Sequence, residues 1–230
     1  MEESAENQLG SVARYDGWAE WYDEYLTAPL YEEMQLHLAR VVGPGRGLCV
    51  DLGCGTGVHL AVLGSLGWSV IGVDLSADQL RLASNRWSLL VQADVCNLPI
   101  ASESLECCVS ALTLTDLDDV GPFFGETFRV LARSGRLVVI ATHPCFVGPF
   151  VNMEGSAEGV AKVHPGYRET RRTFVGPGIG QGIRSKVGVR HVPLAELLNK
   201  LVEAGLQLVS VEELGDGTVP WLFAFVASKP

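Results

Sequence analysis

A chain of 230 residues, 47% hydrophobic and 19% charged, is large enough for one sizeable domain and too apolar to stay disordered. Its formal net charge of −10 excludes a general nucleic-acid binder, because phosphate affinity rests on clustered Lys and Arg, and only Arg168, Arg171 and Arg172 form a tight basic group. No run reaches the ~20 apolar residues of a membrane span, the start (MEESAENQLG) is acidic where a signal peptide is basic, and the six cysteines lack metal-ligand spacing, so a cytoplasmic, metal-free protein is expected.

In chain order, YDGWAEWYDEY sets Trp18, Trp21, Tyr22 and Tyr25 at helical spacing within an N-terminal helical segment, residues 1–42. From Gly47 to about Pro144, short apolar runs alternate with amphipathic segments, the pattern of βαβ units around a parallel sheet. GLCVDLG reads as the first strand, residues 58–66 as a helix, SVIGVDL as the second strand and SADQLRLASNR as a helix capped by Ser76. LLVQADV and LECCVSAL are the third and fourth strands, VGPFFGETFRVLAR a helix and GRLVVIATH the fifth strand. Right-handed crossovers wind these into a doubly wound core over residues 47–144.

The alternation stops over residues 145–192, which are rich in Gly, Pro, Arg and aromatics. A segment of this kind inside a compact domain suits a lid, and RETRRTFVG and GIRSKVGVR are predicted to pair as a hairpin across GPGIGQG. Residues 193–230 resume the core pattern. PLAELLNKLVEAG is a helix with Pro193 in its first turn and Gly205 at its end, and QLVSVEEL and WLFAFVASK are the last two strands. The fold class is thus α/β, one domain with a Rossmann-like, mostly parallel seven-stranded sheet and helices on both faces.

The chemistry lies in VDLGCGTG. A strand, a glycine turn and a helix aim backbone N–H groups at a ligand on the carboxyl edge of the sheet. The glycines are Gly53, Gly55 and Gly57, so the third comes one residue too early for a dinucleotide fingerprint, and no G-K-[ST] follows as a phosphate loop requires. Asp51 beside the turn would repel a pyrophosphate and suits an ammonium, as in an amino-acid ligand. Asp74 ends the second strand about twenty residues on, where a carboxylate accepts from both ribose hydroxyls. Asp94 and the N–H of Val95 follow the third strand at the same edge, where an adenine amine would sit.

These motifs resemble those of the class I S-adenosylmethionine-dependent methyltransferases. VDLGCGTG resembles the family's first motif, GVDLS its ribose motif, QADVCNLPI its adenine motif and LARSGRLVVI the strand after its fourth-motif helix. The resemblance implies that Asp51, Gly53, Cys54, Gly55, Gly57, Asp74, Leu75, Asp94 and Val95 hold S-adenosyl-L-methionine, with S-adenosylhomocysteine as product. It makes residues 1–42 a flap whose Tyr15 and Tyr22 shield the sulfonium, since aromatic faces stabilise cations without hydrating them. Methyl transfer to an oxygen, nitrogen or carbon of a small-molecule acceptor follows, without nucleic acid or membrane and with a homodimer as the expected assembly.

A positioned His can take a proton from a hydroxyl acceptor. ATHPCF resembles a Ser-x-x-His-Pro element and RHVPLAELLNKLVEAG a His-Arg-Pro-Leu stretch of the ubiquinone and metabolite branch, which makes His143 and His191 the candidate bases. The chain departs from that branch at Val192 and in ALTLTDLDD, where Thr115 and Asp116 stand in place of a His. Two other chemistries share the reading: a cyclisation promoted by the same cofactor pocket, and nicotinamide-dependent oxidoreduction on a similar sheet.

Overall fold

A computed structural model describes residues 11–26, 29–154, 160–215, 217 and 219–230. The opening ten residues of the expected flap and residues 155–159 of the expected lid lie outside the described residues. Two helices come first, α1 (Ala19–Tyr25) and α2 (Pro29–Val42). The core follows as β1 (Leu48–Leu52), α3 (Leu60–Ser65), β2 (Ser69–Asp74), α4 (Ala77–Ala83), β3 (Leu90–Gln92), β4 (Leu105–Ala111), a 3-10 turn (Leu114–Asp116), α5 (Val120–Val130) and β5 (Leu131–Thr142). The next segment holds β6 (Val151–Glu154), β7 (Val160–Val163), β8 (Arg172–Thr173), α6 (Arg184–Val187) and β9 (Val189–Arg190). The chain ends with α7 (Leu194–Glu203), β10 (Gln207–Leu214) and β11 (Leu222–Ser228).

Seven strands form one sheet in the order β10-β11-β5-β4-β1-β2-β3. The pairs among β1 to β5 are parallel, and β11 runs antiparallel to both β5 and β10. Central strands of such a sheet are covered on both faces and so read as continuous apolar runs. Along β5, Val138 and Ile140 pack with Met34 and Leu38 of α2 and Leu60 and Leu63 of α3. Val139 and Ala141 point the other way, into a cluster with Phe123 and Phe124 of α5 and Leu197 and Leu201 of α7. The strand order reverses between β1 and β4, and ligands of open α/β sheets bind beyond the carboxyl ends of the strands at such a switch point.

The hairpin expected across residues 168–190 forms only at its ends, where Arg172 pairs with Arg190 and Thr173 with Val189. RSKV folds as α6, because Ser185, Lys186 and Val187 donate backwards to Gly182 and Ile183 within a helical turn. A second hairpin, β6 with β7, carries no turn signature that the sequence reading used. Pro193 caps α7 from an extended conformation instead of sitting inside the first turn, while Gly205 follows the helix with φ +93°.

Candidate cofactor and acceptor site

At the switch point lies a cavity of about 450 Å³, bounded by the glycine turn, residues 74–76, 94–96, 111–113 and 116–119, and the strap of residues 11–15. The turn is built by its own backbone: the N–H groups of Gly53 and Cys54 both donate to the Val73 carbonyl, at 2.8 and 2.9 Å. Gly53 adopts φ +81°, and a Cβ there would stand 2.5 Å from the Thr113 side chain. The Asp74 carboxylate then ties the turn to the next helix, accepting from Gly55 N at 2.8 Å and from Ser76 N at 2.9 Å. Ser76 caps α4 as expected, its Oγ accepting from Gln79 N. Burial raises the Asp74 pKa, and these backbone donors oppose the rise.

Beneath the turn, both carboxylate oxygens of Asp51 are buried without a hydrogen-bond partner. Burial, and secondly the charge of Asp74, push its pKa up to about 7. A buried ionised carboxylate without a partner is costly, so this group is suited to an incoming cation.

The strap crosses the cavity mouth on hydrogen bonds. Ser11 Oγ donates to Asp94 Oδ2 at 2.6 Å, Arg14 pairs with Asp118 at 2.6 Å, and Ser76 Oγ donates to Asp16 at 2.6 Å. Tyr15 packs its ring against Tyr22, with centroids 5.1 Å apart, and donates its hydroxyl to Asp116 at 3.3 Å. Arg184 of α6 reaches the same carboxylate through Nη1. Burial raises the Tyr15 pKa; burial opposes the charge of Arg184, yet Asp116 holds its pKa above the usual guanidinium value. Strap and lid also meet where Lys186 Nζ stands 5.3 Å from the centre of the Trp18 ring.

Behind this cluster lies a second cavity of about 130 Å³, lined by the 3-10 turn, the end of β5, residues 147–149 and 178–179, Arg184 and residues 189–192. His191 bounds it, almost fully buried against Phe150 and Tyr167, with ring centroids at 4.6 and 5.1 Å. Its Nε2 has no partner, and burial brings its pKa down to about 4, against a smaller opposing effect of a hydrogen bond to the Tyr167 backbone. Thr115, also on this wall, has an unpartnered buried Oγ1.

Of the residues read from sequence, Tyr15, Tyr22, Gly53, Cys54, Gly55, Asp74, Leu75, Asp94 and Val95 bound the first cavity. Asp51 lies below its surface, and Gly57, at φ +80°, is placed by packing: a Cβ there would stand 3.1 Å from Ala83 and 3.2 Å from Leu60. His191 is on the second cavity. His143 bounds neither. Its Nε2 meets Glu213 at 2.9 Å, its Nδ1 accepts from Cys145 N at 3.1 Å, and its ring packs on Phe146 and Phe223. Thr142 faces the second cavity, and side chains that alternate along an extended chain send the next residue to the opposite side. His143 thus fastens the end of β5 to β10 through Glu213. The reading from sequence missed Arg184, because a single Arg in GIRSKVG gives no local signal of the carboxylate it meets. Gln79, Thr56 and His59 also reach the first cavity unannounced, and burial lowers the His59 pKa to about 4.

The profile of a methyltransferase domain matches residues 50–139, from the last residues of β1 into β5. Over this stretch the chain is similar to methyltransferase domains. Over 182 residues it is 27% identical to the mitochondrial ubiquinone biosynthesis O-methyltransferase of Mus musculus, a match covering 68% of this chain and 49% of that protein. Over 90 residues it is 36% identical to the demethylmenaquinone methyltransferase of Corynebacterium kroppenstedtii, covering 39% of each. The chain thus spans about half or less of the length of these curated relatives. The solved S-adenosylmethionine-dependent methyltransferase of Mesorhizobium loti shares the fold at a TM-score of 0.66 and 23% identity, over 93% of this chain and 99% of that one. The glycine turn, Asp74 and Asp94 lie inside the matched stretch, whereas Tyr15, Arg184 and His191 lie outside it.

Proposed function

We propose that this chain transfers a methyl group from S-adenosyl-L-methionine to an oxygen, nitrogen or carbon atom of a small-molecule acceptor. The observation that carries the reading is the cavity of about 450 Å³ at the switch point, bounded by the Gly53 to Gly55 turn, Asp74 and Asp94, with the unpartnered, buried Asp51 oxygens below its surface. An ammonium is the partner that such a carboxylate lacks, and the aromatic pair Tyr15 and Tyr22 suits a sulfonium. The residues that would hold the cofactor are the Gly53 to Gly55 turn and Asp51 for its amino-acid part, Asp74 with Leu75 for the ribose, and Asp94 with Val95 for the adenine. When bound, the cofactor supplies a methyl group with a good leaving group already attached.

The protein's own contribution is then positioning, exclusion of water and one proton transfer. Strap and lid close over the site through Tyr15, Asp116 and Arg184. His191 keeps Nε2 unprotonated at neutral pH and is our candidate base for a hydroxyl or amine acceptor. The quinone chemistry in the names of those relatives is theirs; for this chain the supporting facts are the cavity and its polar groups.

We further infer one domain over residues 1–230, with 1–42 as flap, 47–144 as cofactor core, 145–192 as lid and 193–230 completing the sheet. No described helix is long and apolar enough to cross a membrane. A cytoplasmic location and action on a metabolite instead of nucleic acid accord with the net charge of −10. The exposed Leu208, Val209 and Val211 on edge strand β10 support a homodimer. Calorimetry with S-adenosylhomocysteine, followed by mass spectrometry of candidate acceptors for a gain of one methyl, tests the reading. Absence of binding sinks it, and an acceptor altered without gain of mass points to cyclisation.

A further inference from the structure

The segment after β4 is a wall shared by the two cavities: Leu114 and Thr115 bound the second, and residues 116–119 bound the first. Two carboxylates of this wall are each held from both sides. Asp118 accepts Arg14 of the strap through Oδ2 at 2.6 Å, and Arg172 of the lid through Oδ1, from Nε at 3.1 Å and from Nη2 at 3.0 Å. Asp116 accepts Tyr15 of the strap and Arg184 of the lid, and its backbone carbonyl takes a further bond from Arg172 Nη2 at 2.7 Å. Burial works against the Asp118 charge, yet Arg172 and Arg14 hold its pKa below the usual carboxylate value. The contact of Lys186 with the Trp18 ring adds a third meeting of strap and lid. A lone exposed ion pair contributes little, but charges joined in a network constrain one another.

Strap residues 11–15 roof the first cavity, whereas none of the described lid residues bounds it. A ligand in that cavity meets the strap directly and reaches the lid through the two carboxylates. We propose that strap and lid close as one unit through Asp116 and Asp118, so that cofactor capture orders the lid, and that Arg172 is a positioning residue for a cofactor it does not touch. This rests on the reading of the first cavity as the cofactor site. The route is short. Arg172 holds Asp118, Asp118 orients Arg14, and Arg14 is itself part of the roof. Coupling of this kind is reciprocal, so fastening the lid tightens the cofactor as much as the cofactor tightens the lid. The second cavity, walled in part by Ile179, Arg184 and Val189 of the lid, is then completed by cofactor capture.

Hydrogen exchange and calorimetry of the full chain with S-adenosylhomocysteine provide the test. In wild type, saturating S-adenosylhomocysteine should slow exchange over residues 168–190 as well as over 11–18. Arg172→Gln should raise the dissociation constant about fivefold or more, and Arg172→Lys by less. Arg171→Gln removes a charge from the same lid, at a side chain 82% exposed and paired with Glu169, and should change affinity by no more than about twofold. A double-mutant cycle identifies the route. Asp118→Ala should weaken binding as well, and adding Arg172→Gln to it should cost much less than in wild type, because the shared partner is already gone. A lid whose exchange stays unchanged while the ligand is bound overturns the proposal without recourse to any variant. So does a folded Arg172→Gln protein of wild-type affinity, an equal loss in Arg171→Gln, or losses that multiply in full across the cycle. Failure of wild type to bind S-adenosylhomocysteine instead removes the cofactor reading, and this proposal with it.

Discussion

The Asp74 carboxylate accepts the backbone N–H of Gly55 at 2.8 Å, joining the end of β2 to a turn that follows β1. The same carboxylate accepts Ser76 N, so it orders the turn and the start of α4 together. Asp74→Ala removes both bonds along with the proposed ribose contacts. The expected outcome is a loss of cofactor affinity of at least about 100-fold, with a drop in stability of about 1–3 kcal/mol because the charge's burial cost is relieved at the same time. Asp74→Asn should lose nearly as much affinity, since its NH2 must face one of two N–H donors. Calorimetry with S-adenosylhomocysteine and thermal melts separate the effects; unchanged affinity in a folded Asp74→Ala protein would remove the ribose assignment.

Two glycines of the turn should respond differently to substitution. At Gly55 an added Cβ meets nothing nearer than Gln79 Oε1 at 3.5 Å, whereas at Gly57 it is crowded by Ala83 and Leu60. Both have positive φ, so each substitution carries a backbone cost of about 1–2 kcal/mol. Gly55→Val should therefore fold and fail to bind cofactor, since its side chain grows into the cavity. Gly57→Val should lose more stability. A Gly55→Val protein with normal S-adenosylhomocysteine affinity would show that the loop holds something else.

Asp51 makes stability depend on pH. Its folded pKa of about 7 lies above the ordinary carboxylate value of 3.8, so the unfolded chain releases its proton first. The contribution of this group to stability is present below about pH 4, falls as pH rises towards 7, and is lost above that. Asp51→Asn should raise the ligand-free melting temperature at pH 8, by a free energy of about 4 kcal/mol at most. It should also weaken cofactor binding most at that pH, where the native carboxylate is charged. Melting curves at pH 5 and pH 8 check the sign. A variant less stable than wild type at pH 8 would mean that Asp51 already has a partner in the free protein.

What could be read from the sequence was local. VDLGCGTG, the acid at the end of β2 and the cap at Ser76 are short-range features whose geometry follows from strand, turn and helix in succession, and the seven-stranded sheet follows from their repetition. The lid was opaque because the β-branched Ile183, Val187 and Val189 of GIRSKVGVR read as strand, yet Arg184–Val187 folds as α6, from which Arg184 reaches Asp116. His143 stands at the expected strand end, where its ring meets Glu213, Phe146 and Phe223 and borders neither cavity. Strand position is visible in a hydrophobic run, but the face taken by the residue just past its end depends on what packs there.

The two histidines now make opposite predictions. His143→Gln removes an acceptor for Cys145 N and the partner of Glu213, so it should cost about 1–3 kcal/mol of stability and leave the single-turnover rate and its pH dependence nearly unchanged. His191→Gln should fold, since Gln can keep the hydrogen bond to the Tyr167 backbone and stay packed on Phe150, and should slow methyl transfer to a hydroxyl by about 10²- to 10⁴-fold. The pH profile distinguishes a base from a spacer. With a folded pKa of about 4, His191 is unprotonated throughout the neutral range, so the wild-type rate should be flat there and fall only in acid. In His191→Gln the acceptor must lose its proton unaided, and the rate should climb tenfold per pH unit up to the acceptor's own pKa. Parallel profiles for wild type and His191→Gln would leave His191 as a wall of the cavity and the acceptor as a nucleophile held by shape.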